Sequence, residues 1–235
     1  KPVVALRFRG LQAQLQRNDD GRYWTFGGSK SNDPPPNLEL RYFFDNPARL
    51  TLKPGGDQLA LQSRGAIRLD DSSFQTSSSL SWLGQVGTLR LDGSGRWDRP
   101  QFDVRSRAKS IQLDRLAAFL PWAADVAVGG QLEGDLRLRW SGGKLGCQGD
   151  LHLNGFRVQT TALPTELRSS RIRMECQQDR VQLAPVQMRS GELTATASGS
   201  VEFQRRLQVK LAVRRRSNDD SLNVQIAGPW AAPTW

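Results

Sequence analysis

Residues 207–214 read LQVKLAVR, and after the polar stretch 216–220 residues 222–226 read LNVQI. Apolar residues occupy every second position in the two apolar stretches, which is the period of a β-strand with one apolar and one polar face. The Ser-Asn-Asp-Asp sequence between them favours a turn. We therefore predict two antiparallel strands that share an apolar face lined by Leu207, Val209, Leu211, Val213, Leu222, Val224 and Ile226.

The same alternation recurs along the chain, from Val4, Leu6 and Phe8 onwards. We count roughly 15 to 20 strands of mostly about five to eight residues, bounded by Gly, Asn, Asp and Ser. This pattern predicts an all-β fold: an elongated, curved antiparallel β-sheet forming an open, taco-like groove. Further candidates for the groove lining lie on the apolar parity of other strands: Leu136, Leu138, Leu151, Leu153, Val181, Leu183, Leu193, Val201 and Phe203.

One segment, residues 113–120, breaks the strand pattern. Its apolar residues follow the i, i+3, i+4, i+7 spacing of an amphipathic helix, and Pro121 ends it. These residues are Leu113, Leu116, Ala117 and Leu120. We predict one short helix here that covers apolar surface.

Composition is typical of a folded protein, with 37% hydrophobic and 24% charged residues among 235. The formal net charge is +10, which suggests anionic partners such as phospholipid headgroups or nucleic acid. However, the arginines alternate with apolar residues, as in 136–140, which favours a solvated strand face. Most aromatic residues follow the apolar parity, whereas nucleic-acid stacking requires exposed aromatics. We therefore expect no nucleic-acid partner.

The two ends of the sequence bear on its completeness. No stretch reaches the roughly 18 apolar residues of a membrane-spanning helix, and no signal-type apolar core is present. Residue 1 is Lys1, the strand pattern begins almost at once, and the chain stops at Trp235 without a polar tail. We expect the whole chain to be a fragment of a larger protein.

No residue pattern indicates catalysis. His152, the only histidine, lies on the polar parity of its strand, which favours a solvated residue over a catalytic base. Zinc requires three or four ligands, and His152 does not share a face with the cysteines. The glycine pairs lack the downstream helix of a phosphate-binding loop, and adjacent aspartates occur at predicted turns. We predict no enzymatic activity, no cofactor and no metal site.

Cys147 and Cys176 are the only cysteines, and each falls on the apolar parity of its strand. Two interpretations are open. They are either small buried hydrophobic residues or a disulfide formed in an oxidising compartment. In both cases we predict that they point inward and are chemically inert.

A short motif, G-x-W-x-x-P, occurs at 95–100 and again at 228–233. We interpret it as a strand end followed by a glycine turn, an anchoring indole and a proline that stops the sheet. Recurrence at this distance suggests stacked modules. We predict two β-groove repeat units, 1–100 and 101–235, the second containing the helix.

Five features of residues 110–235 occur together: the helix end at 119–121, the glycine-headed strands at 129–136 and 149–151, the run 188–201 and the closing residues 226–230. In these features the segment resembles repeat units of the AsmA-like and TamB family of envelope-spanning proteins, and residues 1–100 resemble the preceding unit less distinctly.

The resemblance implies an inner-membrane-anchored protein whose β groove crosses the periplasm or intermembrane space. It implies non-enzymatic lipid transfer and outer-membrane biogenesis, with phospholipid acyl chains in the groove. The expected partners are phospholipid, an outer-membrane barrel protein of the assembly machinery, and neighbouring repeat units of the same chain. The alternative is a closed β-sandwich or barrel that acts as an interaction domain in outer-membrane protein assembly or protein translocation.

Overall fold

The computed structural model describes residues 2–16, 36–53, 58–84, 86–117, 126–160, 165–203, 206–215 and 221–229. The chain divides into two compact units. Unit 1 comprises Lys1–Lys109 and Leu138–Lys144, and unit 2 comprises Ser110–Arg137 and Leu145–Trp235.

Unit 1 is built from short strands at its start and longer strands after them. They are β1 (Val3–Phe8), β2 (Gln12–Gln16), β3 (Glu39–Phe44), β4 (Ala48–Lys53), β5 (Gln58–Arg68), β6 (Ser73–Trp82), β7 (Thr88–Arg96) and β8 (Gln101–Gln112, partly in unit 2). From β5 to β8 each strand pairs antiparallel with the next. This part of the unit is the predicted meander.

The first four strands depart from that meander. β1 pairs parallel with β3, and β2 pairs parallel with β4. Both β3 and β4 then pair antiparallel with the single long strand β5. Parallel pairing requires a crossover connection instead of a tight turn, and residues 17–35, between β2 and β3, lie outside the described residues. The predicted antiparallel sheet therefore holds for most strands, and β1 and β2 are the exceptions that join it in parallel.

Unit 2 contains the helix and the longest strands. The helix α1 spans Leu113–Ala117, and the strands are β9 (Val126–Ser141, partly in unit 1), β10 (Lys144–Thr160), β11 (Leu167–Gln178), β12 (Arg180–Ser190), β13 (Leu193–Glu202), β14 (Arg206–Arg215) and β15 (Ser221–Pro229). From β10 to β15 every neighbouring pair is antiparallel. The helix prediction is confirmed at 113–117, and its remaining residues lie outside the described part of the chain.

Most strands are longer than expected. β10 has 17 residues and β13 has 10, because glycines and prolines that read as turns are accommodated inside strands. Pro185 lies where the pairing of β12 with β13 shifts register between Leu183 and Val186. A bulge is one of the few places where a strand tolerates a residue without an N–H donor. The predicted strand length of about five to eight residues is wrong for this reason.

The buried core of each unit is small. In unit 1 it contains Ala48, Leu52, Leu59, Trp82 and Ala108. In unit 2 a cluster of Ile172, Val186 and Ala197 packs against half-buried Leu153, Phe156, Met174, Leu183, Met188 and Leu211. Most apolar side chains of the strands are thus only partly covered.

The described strands form one open, mainly antiparallel sheet whose order runs from β1 to β15 without closing on itself. The all-β class, the open antiparallel sheet and the single short helix are confirmed. The alternative of a closed sandwich or barrel is not what these strands form. In the first copy of the repeated motif, Trp97 is 46% exposed, so its indole is not the predicted anchor. No helix among the described residues is long and apolar enough to cross a membrane.

Candidate functional site

Strand pairing brings the candidate lining residues of β13, β14 and β15 into rows across unit 2. Directly paired residues lie on the same side of a sheet. Val209 pairs with Ile226, and Leu211 pairs with Val224. The remaining pairs extend the rows: Val213 with Leu222, Val201 with Leu207, Ala197 with Leu211 and Ala195 with Val213. We call the apolar side of β10–β15 the aliphatic face.

The aliphatic face continues across β12, β11 and β10. Leu183 pairs with Met174, which pairs with Leu151. Leu153 pairs with Ile172. Val181 pairs with Val201 and with Cys176. The bulge at Pro185 adds one residue and so returns Val186 to the apolar side, opposite Ala197.

Some candidates lie away from these rows. Leu193 pairs with Arg215 at the end of β14 and is 39% exposed. Phe203 follows β13 and its backbone N–H donates to the carbonyl of Asp179 at a turn. Leu136 and Leu138 both lie on β9, but Leu138 belongs to unit 1. Conversely, Ile172, Met174, Val186 and Met188 belong to the face and were missing from the predicted lining; their alternation with arginines and glutamines was the available signal.

The candidate lining residues are incompletely covered by the protein itself. All of them are half-buried or exposed, and Leu222 is 61% exposed. Apart from the two cysteines at one end, only the centre of the face, at Ile172, Val186 and Ala197, is buried. A packed core would bury such side chains almost completely. The aliphatic face in the described residues therefore retains apolar surface that can contact a guest molecule.

A disulfide joins Cys147 and Cys176 at one end of the aliphatic face. The two Cα atoms are 5.6 Å apart on the neighbouring strands β10 and β11. Both residues are buried, at 6% and 4% exposure, as their parity predicted. Of the two interpretations open from the sequence, the structure has the disulfide, which links the paired strands β10 and β11 covalently.

The opposite, polar side of the strands carries arginines that form local ion pairs. Arg90 Nε lies 3.1 Å from Asp92 Oδ2. Arg96 donates two hydrogen bonds to Asp98, and these lower the pKa of Asp98 to about 2. The side chain of Arg168, which pairs with Glu166, is 74% exposed. These arginines form the solvated strand face that the alternation indicated.

The His152 side chain is less exposed to solvent than its polar parity predicted. Its Nε2 lies 2.9 Å from Asp150 Oδ2, and its imidazole is 22% exposed. Its Nδ1 is buried without a hydrogen-bond partner in the described structure. His152 pairs with Arg173 on the neighbouring strand β11. No group of three or more metal-binding side chains occurs among the described residues.

Unit 1 has an apolar face of different chemistry. Leu61, Leu80 and Leu89 form one row, and Ile67, Phe74, Gly95 and Phe102 form another. Between these rows lie four hydroxyl side chains, which we call the hydroxyl ring: Tyr42, Ser63, Thr76 and Ser78. Sequence reasoning missed them, although hydroxyls at 76 and 78 interrupt the apolar parity of Phe74, Leu80 and Trp82.

The four hydroxyl oxygens are connected in a closed cycle. Tyr42 Oη lies 2.6 Å from Thr76 Oγ1, and Ser63 Oγ lies 2.7 Å from Ser78 Oγ. Ser63 donates to Tyr42 Oη over 3.4 Å, and Thr76 and Ser78 are 3.3 Å apart. Ser63 is 6% exposed, whereas the other three are half-buried.

A cleft of about 560 Å³ opens in unit 1 where β1 and β3 give way to β2 and β4. Its apolar walls include Leu11, Pro47 and Leu83, and Arg49 and Gln12 supply polar groups. Arg49 pairs with Ala60 and Gln12, so the cleft lies on the side of the sheet opposite Leu50 and Leu59. It is therefore separate from the apolar face of unit 1.

Comparison of the chain with models of known protein families, with curated proteins and with solved structures finds no match.

Proposed function

We propose that the chain is a non-enzymatic lipid-carrying module, in which the apolar faces of the strands shield phospholipid acyl chains from water. The observation that carries this proposal is the aliphatic face: Val209, Leu211 and Val213 stand in register with Ile226, Val224 and Leu222, yet all six remain partly exposed.

The energetic reason is the cost of hydrating an acyl chain. Transfer of one CH₂ group from an apolar environment to water costs about 0.8 kcal/mol, so a 16-carbon chain costs roughly 13 kcal/mol. A row of aliphatic side chains offsets much of this cost. Because aliphatic contacts have no preferred direction, a chain can move along the face without breaking specific bonds.

The expected setting follows from the resemblance to the AsmA-like and TamB proteins: the periplasm or intermembrane space, with an outer-membrane barrel protein and neighbouring repeat units as partners. The disulfide between Cys147 and Cys176 supports this setting, since disulfides persist in oxidising compartments such as the bacterial periplasm.

Photo-crosslinking tests the proposal directly. The chain is incubated with vesicles that contain a phospholipid with a photoactivatable acyl chain. We expect the wild type to crosslink the lipid and Val209→Asp to lose most of the crosslinking, because a carboxylate in the acyl path costs several kcal/mol. The matched control is Gln208→Asp, which adds the same charge at the next residue of β14, on the opposite side.

Circular dichroism of both variants accompanies the crosslinking. A folded Val209→Asp chain without lipid, beside a Gln208→Asp chain with lipid, supports the proposal. A wild type that never crosslinks, or a Val209→Asp variant that keeps full crosslinking, refutes it. A Val209→Asp variant that loses its fold outright, with no crosslinking by the wild type, identifies the face as a packed core.

A further inference from the structure

The hydroxyl ring uses its own protons completely. Each of its four hydroxyls has one proton and two lone pairs, and the ring contains four hydrogen bonds. Since Ser63 donates to Tyr42, a single direction satisfies all four bonds: Tyr42 donates to Thr76, Thr76 to Ser78, and Ser78 to Ser63. Each oxygen then retains one lone pair, and no proton is left to donate.

The free lone pairs of the ring can be reached from the apolar face of unit 1. Tyr42 reaches over Gly65, where an added Cβ would lie 2.8 Å from the Tyr42 Cε1 and hydroxyl oxygen. The glycine thus lets the phenol lie close to the backbone, with its hydroxyl beside Thr76. Tyr42, Thr76 and Ser78 are half-buried, so the ring is partly open to a guest.

We infer that the hydroxyl ring is a binding site for the polar headgroup of a lipid, and that it selects a headgroup carrying N–H donors, namely a primary ammonium of the ethanolamine type. This inference rests on the proposed function. A group that contacts the ring must supply the protons, and a primary ammonium has three N–H donors. A quaternary ammonium carries the same charge and has none.

The apolar rows on both sides of the ring strengthen the selection. Leu61 and Leu80 flank one side, and Phe74 and Phe102 flank the other. In these surroundings an ammonium that lacks acceptors is strongly disfavoured, whereas one that meets three or four lone pairs keeps most of its hydrogen bonds. No carboxylate is described within the ring, so its oxygens act as neutral acceptors.

The test compares two phospholipids that differ only in N–H donors. The chain is equilibrated with equimolar vesicles of phosphatidylethanolamine and phosphatidylcholine with identical acyl chains, and the captured lipid is quantified by mass spectrometry. Both lipids are zwitterionic, so the net charge of the chain does not discriminate between them. We expect the wild type to favour phosphatidylethanolamine by about fivefold for each hydrogen bond gained.

Variants of the ring remove single oxygens while keeping side-chain shape. Thr76→Val and Tyr42→Phe are expected to bring the ratio of the two lipids towards one, while Thr76→Ser keeps the wild-type ratio. Ser79→Ala is the matched control. Ser79 follows Ser78 of the ring along β6, so the variant removes a hydroxyl from the opposite side of the sheet. Thermal unfolding checks that each variant is folded, and the Thr76→Val and Thr76→Ser pair decides the question if Tyr42→Phe does not fold.

The outcomes separate this inference from the proposed function. A wild type that captures both lipids equally, or a Thr76→Val variant that keeps the preference, overturns the headgroup site and leaves lipid carriage in place. A wild type that captures neither lipid overturns both.

Discussion

The apolar faces of units 1 and 2 arise from the same strand alternation but differ in chemistry. In unit 2 the face is aliphatic from Leu151 to Ile226, and a disulfide closes one end. In unit 1 the corresponding side carries four hydroxyls between its apolar rows, with aromatic rings over Gly65 and Gly95.

Under the proposed function, this difference separates two tasks, holding acyl chains and selecting a headgroup. Aliphatic contacts hold any acyl chain with little preference, because dispersion and the hydrophobic effect are not directional. Hydroxyl groups at fixed positions discriminate between polar groups, because a hydrogen bond needs a donor opposite an acceptor. We therefore expect the face of unit 2 to hold acyl chains with little preference and the face of unit 1 to discriminate between polar headgroups.

We expect the two faces to differ most in how much unfolding free energy is lost when a single carboxylate is placed in each of them. Val186 and Ser63 are similarly buried, at 3% and 6% exposure. Val186→Asp buries an unpaired charge among aliphatic side chains and is expected to cost more than about 4 kcal/mol of unfolding free energy. Ser63→Asp is expected to cost less, about 1 to 3 kcal/mol, because Ser78, which donates to residue 63 in the ring, can donate the same hydrogen bond to the carboxylate.

Urea unfolding of the two variants measures these costs, with Gln208→Asp on the polar side of β14 as the control. Equal losses of unfolding free energy for Val186→Asp and Ser63→Asp would show that the two faces destabilise a buried carboxylate equally. That result would contradict the difference in chemistry between them.

A second, smaller effect concerns the disulfide, which only unit 2 contains among the described residues. Replacing both Cys147 and Cys176 with serine removes a covalent loop with a sequence separation of 29. Loop entropy predicts a loss of about 3 to 4 kcal/mol of unfolding free energy. Hydrogen exchange should show faster opening of β10 and β11 than in the wild type, with smaller changes in β5 and β6.

The reduced wild type is the matched sample for this prediction. A reducing agent should lower the unfolding free energy of the wild type to that of the double serine variant, and it should leave the double serine variant unchanged. Equal exchange rates in the oxidised and reduced wild type would mean that strand pairing alone holds these two strands.

The smallest effect concerns two glycines of β7 in unit 1. An added Cβ at Gly95 would lie 2.5 Å from the Gln101 carbonyl oxygen and 2.9 Å from Phe74 Cε1, whereas one at Gly93 would meet Val104 Cγ2 at 3.4 Å. Gly95→Ala should therefore destabilise the chain. Gly93→Ala should stabilise it by about 0.4 to 1 kcal/mol, because alanine restricts the unfolded chain without a severe clash.

Melting temperatures of the two alanine variants test this prediction, and each variant is the other's control because both add one methyl group to the same side of β7. If Gly95→Ala melted at or above the wild-type temperature, close packing of aromatic rings against the backbone would not be a feature of unit 1.

Sequence periodicity was a reliable guide to the strands and to their inward parity. The alternation at 207–214 and 222–226 placed Val209 and Val224 on one side, as the pairing of β14 with β15 shows. Periodicity was a poor guide to strand length, because Pro185 and the in-strand glycines resemble turn residues until their pairing is known. It also could not indicate that β1 pairs parallel with β3 and β2 with β4, because parallel partners are not joined by a tight turn that the sequence would reveal.

What the sequence alone determined is local: strand alternation, the helix at 113–117 and the inward position of Cys147 and Cys176 each follow from the spacing of neighbouring residues. What only the tertiary structure decided depends on which distant residues meet. The hydroxyl ring joins Tyr42, Ser63, Thr76 and Ser78 from three strands, and the disulfide joins cysteines of two strands. Strand register selects these partners, and since one step of register moves every side chain to the other face, no single stretch of sequence contains that information.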